Sequence, residues 1–266
     1  MIHIRIDPIL FQWGEVTVGW HGLWWMVGLF VAYQIFIREG QRKGIDPDHL
    51  VQLVLWSTVV GYIGARLLYV LHHWETYAAQ PVSILAIHKG GIKLYGGLIG
   101  GAIVMAVYAR YRKLSFWSLA DAMAIGIPAG EIIGRVGCTI NGDVWGIPTH
   151  RAWSLVYWHP NALIPSHLRG VPVFPVPTML QIWIAGLLAL LLVLRKRLHP
   201  SGTLFAIGII LYSLGRFVVN IWQPEETPWF GFKGTQVVSL ALIGLGILLL
   251  LFLRMQVERK VSGEAD

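Results

Sequence analysis

The sequence has one cysteine, Cys138, in 266 residues. That excludes a disulfide framework within the chain and any multi-cysteine metal site. Charge is scarce as well. Asp, Glu, Lys and Arg make up 13% of the residues, against about 25% in a soluble domain. A chain so poor in charge and 55% hydrophobic points to a membrane protein. The formal net charge of +7 would suit nucleic acid if the basic residues formed a solvated face. They sit instead in short clusters between apolar runs, so no nucleic-acid partner is expected. Thirteen Trp, nine Tyr and ten Phe fit aromatic belts at two membrane interfaces.

Apolar runs near bilayer-spanning length fall at 16–37, 49–72, 92–109, 115–134, 179–194, 202–222 and 235–253. The last contains no charge, and the first contains none unless His21 is protonated. Loops after the odd spans hold Arg38, Arg42 and Lys43, then Arg110, Arg112 and Lys113, then Arg195, Lys196 and Arg197, and the tail holds Arg254, Arg259 and Lys260. The opposite side has only Arg5, Lys89, Arg151, Arg169 and Lys233. The positive-inside rule then predicts an all-α, polytopic membrane protein with seven transmembrane helices, its N-terminus outside and its C-terminus cytoplasmic. Residues 1–15 contain Asp7, Pro8 and Glu15 and no basic region before the apolar run, so no cleavable signal peptide is expected. The longest connection, 136–178, falls on the outer side and is rich in Pro, His, Trp and Gly, the composition of an ordered interfacial loop. No sequence repeat or second domain is evident, and the whole of 1–266 reads as a single membrane-embedded domain.

Arg66, Lys93, Arg135 and Arg216 lie in or at the ends of spans. An arginine near the bilayer centre costs about 2.5–3.5 kcal/mol even on the insertion scale, so such residues are paired or used. Lys93 lies close enough to a span end to snorkel. For Arg66, Arg135 and Arg216 the structural alternative is a pairing with Asp121, Glu131 or Asp143 that holds helices together. Three arginines against few intramembrane carboxylates leave an excess of positive charge in the outer half. An anionic lipid headgroup would neutralise it, and the guanidinium fork suits bidentate contact with phosphate.

The densest motif is Gly134-Arg135-Val136-Gly137-Cys138-Thr139-Ile140-Asn141-Gly142-Asp143-Val144-Trp145-Gly146. Its glycines, Gly137 and Gly146 among them, allow close backbone approach, while Arg135, Asn141 and Asp143 supply a cation, an amide and a carboxylate. A second cluster runs from Lys89-Gly90-Gly91 through Lys93 to Tyr95-Gly96-Gly97-Leu98-Ile99-Gly100-Gly101. The four-residue spacing of Gly96, Gly97, Gly100 and Gly101 also suits close helix packing, the competing reading of those positions. In a third cluster, Gly215 to Glu225, Arg216 and Asn220 share a helical face by i, i+4 spacing.

Together these clusters resemble the prolipoprotein diacylglyceryl transferases, membrane enzymes that move a diacylglyceryl group from phosphatidylglycerol to the lipobox cysteine of a prolipoprotein. The resemblance runs in order through Trp20-His21-Gly22, Gly64-Ala65-Arg66, Tyr95 to Gly100, the signature at 134–146, Pro177-Thr178, and Arg216 with Gln223-Pro224. His21 stands where the family usually has Tyr, Tyr95 where it has His, Cys138 and Asp143 where it has Asn and Glu, and Asn220 where it has Glu. The family's His-Pro-(Ser/Thr)-Gln-Leu-Tyr-Glu pattern appears as Val176-Pro177-Thr178-Met179-Leu180-Gln181-Ile182. Cations and glycines are retained, whereas several proton carriers are not.

The resemblance implies a multi-pass protein of the bacterial cytoplasmic (inner) membrane. Its partners are phosphatidylglycerol, a prolipoprotein signal peptide and membrane lipid, with no cofactor and no metal. The reaction releases glycerol phosphate and needs a thiolate, a stabilised leaving group and in-line placement. Arg135 and Arg216 are the candidates for the phosphate. Arg66, Asn141, Asp143, Asn220, Gly137, Gly146, Gly96 and Gly97 are the candidates for holding the headgroup. The base for the incoming thiol is Tyr95, although a phenol is a weak base at neutral pH, or His21 if span one packs beside span three. His21 bonded to a carbonyl at the interface, and Cys138 as a small packed residue rather than a covalent relay, are the structural alternatives.

The alternative function is a catalytically altered paralogue that binds an anionic phospholipid headgroup or uses a different acceptor. A retinal protein is excluded by the lack of lysine in 235–253, and a transporter is disfavoured by the lack of paired broken spans. No two-histidine i, i+4 pair with a nearby carboxylate lies within a span, so metal catalysis is not expected.

Overall fold

The computed structural model describes residues 1–14, 16–85, 91–225, 228–229, 231–261 and 263. Lys89 and Gly90 of the second glycine cluster lie outside the described residues, as do the side chains of Arg259 and Lys260 in the basic tail. In chain order the elements are β1 (Ile2–Ile4), β2 (Ile9–Trp13), β3 (Val16–Gly19), α1 (Trp20–Arg42), α2 (Pro47–His72), α3 (Trp74–Ala79), α4 (Leu94–Tyr111) and α5 (Phe116–Asn141). There follow β4 (Leu155–Tyr157), α6 (Val176–Leu194), α7 (Thr203–Val219), β5 (Pro228–Trp229), β6 (Phe232–Lys233) and α8 (Gly234–Val261).

Six helical stretches are long and apolar enough to cross a membrane: α1, α2, α5, α6, α7 with the 3-10 turn that follows it, and α8. They coincide with six of the seven expected spans, because apolar side chains of the right run length can face lipid on every side of a helix. Phe30 and Leu248 illustrate this, being 62% and 64% exposed on helix surfaces. The remaining expected span, 92–109, corresponds to the 18-residue α4.

The chain forms two compact units, one of residues 37–119 and one of residues 1–36 and 120–266. In the first, α2 begins at a cap: Asp46 Oδ1 accepts the Asp48 amide at 2.8 Å, and Pro47 takes the first helical position. Helices α2 and α4 then cross backbone to backbone. A Cβ on Gly64 would lie 2.5 Å from the Gly96 carbonyl oxygen, and one on Gly100 would lie 2.8 Å from that of Val60. The glycine spacing here therefore serves helix packing. Tyr108 donates to Gln52 at 2.9 Å and fastens the far end of the pair.

In the second unit α5 is the central helix, with the buried Asp121, Ala122, Ile125, Ala129, Arg135 and Cys138 along its length. It meets α1 at a second glycine crossing, where a Cβ on Gly28 would lie 2.5 Å from the Gly130 carbonyl oxygen. Helix α6 is held to it by Gln181, which donates to the Ile132 carbonyl at 2.7 Å, and α6 holds α7 through Trp183, which donates to the Leu211 carbonyl at 2.8 Å. At the start of α7 the orphan amides of Gly202 and Phe205 donate to Asp121 at 2.9 and 3.0 Å. A carboxylate of α5 thus caps the start of α7.

Helix α5 runs to Asn141, seven residues beyond the expected end of its span, so the first part of the signature is helical and the long connection starts at Gly142. The Gly-rich, polar tail of α5 lacks the apolar run that marks a span. It stays helical because it packs under the long connection. Tyr157, fully buried, donates to the Thr139 carbonyl at 3.0 Å, and the Leu163 amide donates to that of Asn141 at 2.9 Å. Strand β1 pairs in parallel with β4 in the register Ile2↔Leu155, His3↔Val156 and Ile4↔Tyr157.

Candidate active site

The last three turns of α5 carry Glu131, Arg135 and Cys138 on one face by i, i+4, i+7 spacing. Arg135, 5% exposed, donates from Nε to Glu131 Oε1 at 3.0 Å and from Nη2 to the same oxygen. The Tyr212 hydroxyl of α7 donates to that oxygen too, at 3.0 Å. One carboxylate therefore serves a cation of its own helix and a phenol of the next. Arg135 keeps its Nη1 donors without a hydrogen bond to any described residue.

Tyr212 also walls an apolar cavity of about 140 Å³ between α5, α7 and Leu242 of α8, lined further by Met123, Ile127, Pro128, Leu187 and Ile209. The buried charge pair and an apolar cavity thus share a residue. Four residues beyond Tyr212 on the same face is Arg216, half-buried, which makes no hydrogen bond or ion pair with any described residue. Four further on is Asn220, at 0% exposure, whose side-chain Nδ2 and Oδ1 both lack partners among the described residues. A buried amide left unpaired costs about 1–3 kcal/mol. Nearby backbone is fixed by Lys233, whose ammonium donates to the carbonyls of Asn220, Ile221 and Gln223 at 2.8, 2.8 and 2.6 Å.

A second group forms where α1 starts. Gly137 makes it possible: a Cβ there would lie 2.9 Å from His21 Cα and 3.1 Å from Trp24 Cβ. His21 is thereby laid against the end of α5. Gly142 takes a φ of +72°, which glycine adopts without strain, and the chain leaves α5 toward Asp143. His21 Nδ1 then faces Asp143 Oδ2 at 3.6 Å, and one donor atom each of His21, Cys138 and Asp143 lie within 4.8 Å of one another. His21 Nδ1 and Asp143 Oδ1 are buried atoms without a hydrogen bond among the described residues. Gly146 admits the Phe174 carbonyl, 2.6 Å from where its Cβ would be, and so closes the connection over this end.

The other candidate residues are divided between the two units. Arg135 is partnered by Glu131, four residues before it, while Asp143 faces His21. The Asn141 side chain makes no hydrogen bond to any described residue, and its main-chain carbonyl serves the connection. In the unit of residues 37–119, Arg66 donates to the carbonyls of Ile84, Gly91 and Ser83 at 3.0, 2.9 and 3.0 Å and lies 5.3 Å from the Tyr77 ring centroid. It staples the link between α3 and α4. Gly96 and Gly97 pack against α2, and Tyr95, 55% exposed, stands at the first turn of α4. Tyr212 was missed in the sequence reading, although its i, i+4 relation to Arg216 was the signal available.

Comparison with known sequences supplies what geometry cannot. A family profile described as prolipoprotein diacylglyceryl transferase matches residues 8–252. The phosphatidylglycerol–prolipoprotein diacylglyceryl transferase of Listeria welshimeri is 32% identical over 255 residues, covering 95% of this chain and 92% of its own. Enzymes of the same name from Synechocystis sp. and Lactobacillus acidophilus are 34% and 33% identical, covering 90% and 98% of this chain and 86% and 94% of their own.

Proposed function

The chain belongs to the prolipoprotein diacylglyceryl transferase family, and from that premise we propose that it transfers the diacylglyceryl group of phosphatidylglycerol to the lipobox cysteine of a prolipoprotein signal peptide. The chain works as a multi-pass protein of the bacterial cytoplasmic membrane, with α4 as a seventh crossing, the N-terminus outside and the C-terminus cytoplasmic.

The observation that carries the reading is the continuity from apolar cavity to buried cation. Acyl chains suit the space walled by Met123, Ile127, Leu187 and Leu242, and Tyr212 leads from it to Glu131 and Arg135. Arg135, with its Nη1 donors unused, and Arg216, without a protein counter-ion among the described residues, take the phosphate. Cations held in a dry site are worth most where negative charge grows, here on the oxygen of the leaving glycerol phosphate. Asn220 supplies a donor and an acceptor to the headgroup's hydroxyls. The thiol of the signal peptide attacks the glyceryl carbon, the carbon–oxygen bond to phosphate breaks, and the electron pair leaves on glycerol phosphate. Deprotonation of the thiol falls to the cluster of His21, Cys138 and Asp143 at the outer end of α5.

The test uses purified protein in phosphatidylglycerol nanodiscs, supplied with a lipobox peptide and read by mass spectrometry. A diacylglyceryl adduct that is lost in Arg216→Ala is expected. Bound phosphatidylglycerol with an unmodified peptide, while a relative works in parallel, would instead indicate a headgroup-binding paralogue or a different acceptor.

A further inference from the structure

The cluster at the start of α1 offers three different donor atoms to one point. His21, Cys138 and Asp143 come from two helices and the loop after one of them, yet their donor atoms lie within 4.8 Å of one another. One polar atom of each of His21 and Asp143 is left unsatisfied among the described residues. The His21–Asp143 separation of 3.6 Å is too long for a hydrogen bond, and His21 Nδ1 and Asp143 Oδ1 are buried without other partners among the described residues. Cys138 is 4% exposed. Buried polar atoms left unpaired in this way require explanation, and an ion that accepts all three would provide it.

We propose that His21, Cys138 and Asp143 form a site for a zinc-class divalent metal ion, whose remaining position takes the sulfur of the incoming thiol. One nitrogen, one sulfur and one oxygen are the donors of zinc and its neighbours. Magnesium and calcium call for oxygen alone. Bonds of about 2.0–2.3 Å at tetrahedral angles put ligand atoms roughly 3.5 Å apart, so the present cluster closes by about 1 Å, within reach of side-chain rotation. Charge also fits. A thiolate and a carboxylate neutralise a dication, so the site loaded with its three protein ligands is neutral, and the nearby Arg135 already has Glu131 as counter-ion. Three protein ligands and an open position are the pattern of a catalytic rather than a structural zinc.

The fourth ligand depends on the transferase reading above, whereas the three protein ligands do not. A thiol that coordinates the ion loses its proton, which passes to water. The coordinated thiolate forms the carbon–sulfur bond at the glyceryl carbon as the carbon–oxygen bond breaks, and the electron pair leaves on glycerol phosphate. The metal keeps its oxidation state and no other reactant is needed. An oxygen or nitrogen base for the thiol then becomes unnecessary, so Tyr95 need not serve as one.

The experiment is a titration of chelator-stripped, dialysed protein in detergent with cobalt chloride, followed by absorbance. The expected result is one cobalt per chain, with visible bands of tetrahedral cobalt and a near-ultraviolet thiolate-to-cobalt band. Cys138→Ser abolishes the thiolate band, and His21→Gln keeps it while weakening zinc competition by at least about tenfold. The two variants are compared with the parent chain by helical circular dichroism, so that loss of fold is recognised. Adding a lipobox peptide strengthens the thiolate band, and a peptide with serine for cysteine does not. Absence of the thiolate band from the folded parent chain, or its persistence in Cys138→Ser, overturns the site. Full transfer activity in metal-free protein overturns the metal's role and leaves the transferase reading standing. If cobalt binds as described and neither metal-loaded nor metal-free protein modifies the peptide, the transferase reading falls and the three-ligand site stands.

Discussion

Tyr212 donates its hydroxyl to the same Glu131 oxygen that receives Arg135, so a single carboxylate atom joins α7 to the buried cation of α5. Removing either partner has a different consequence. Tyr212→Phe deletes one hydrogen bond to a charged group and lowers stability by about 1.5–3 kcal/mol. Glu131→Ala leaves a buried arginine without its counter-ion and costs more, about 3–5 kcal/mol. Unfolding in detergent with increasing denaturant ranks the two, and an equal loss would contradict the shared-oxygen arrangement.

Arg216→Ala separates function from stability. Because Arg216 has no hydrogen bond or ion pair to a described residue, its loss leaves the unfolding midpoint close to that of the parent chain. Turnover on phosphatidylglycerol and a lipobox peptide drops by roughly 10²–10³ fold, the effect of losing one stabiliser of developing charge. A large fall in stability, or retained turnover, would show that Arg216 has a structural role instead.

Gly137→Ala tests how His21 is placed. The added carbon would sit 2.9 Å from His21 Cα, so α1 must move away from α5, at a cost of about 1–3 kcal/mol. Turnover falls as well, since the His21–Asp143 approach opens. Gly22→Ala, with nothing within 4 Å of the new carbon, is the matched control for stability.

Alkaline pH acts on the long connection after α5. Burial pushes the Tyr157 phenol up from its ordinary value, and its hydroxyl donates to Thr139. The neutral form is the one the fold holds. Its contribution is complete below the unfolded tyrosine value of about 10 and declines as pH rises beyond it. Tyr157→Phe loses about 1 kcal/mol at neutral pH but removes this part of the alkaline sensitivity, as unfolding followed from pH 8 to 11 would show.

The six long apolar helices were legible because run length and the absence of charge report directly on lipid burial. The last turns of α5 were not, since Gly137, Cys138 and Asn141 carry no apolar run and are kept helical by Tyr157 and Leu163 from the connection. The Glu131–Arg135 pairing was present in the sequence as acid-before-base i, i+4 spacing. Tertiary partners chosen for three arginines obscured it. The cluster of His21, Cys138 and Asp143 depends on the crossing of α1 and α5 at Gly28 and Gly130, which no local pattern specifies. Arg66 looked available for a headgroup because the groups that hold it, the main-chain carbonyls of Ser83, Ile84 and Gly91, leave no side-chain signal in the sequence.

The placement of Glu131 and Arg135 one turn apart on the same helix bears on how the protein is made. A cation whose counter-ion lies on another helix must wait for that helix to be synthesised before it is neutralised. Here the acid and the base leave the ribosome four residues apart, and a single turn of helix joins them. The pair on α5 is therefore closed before α6 and α7 exist, whereas Asp121 of the same helix waits for the Gly202 and Phe205 amides of α7. Tyr212 arrives later, at a carboxylate already in place.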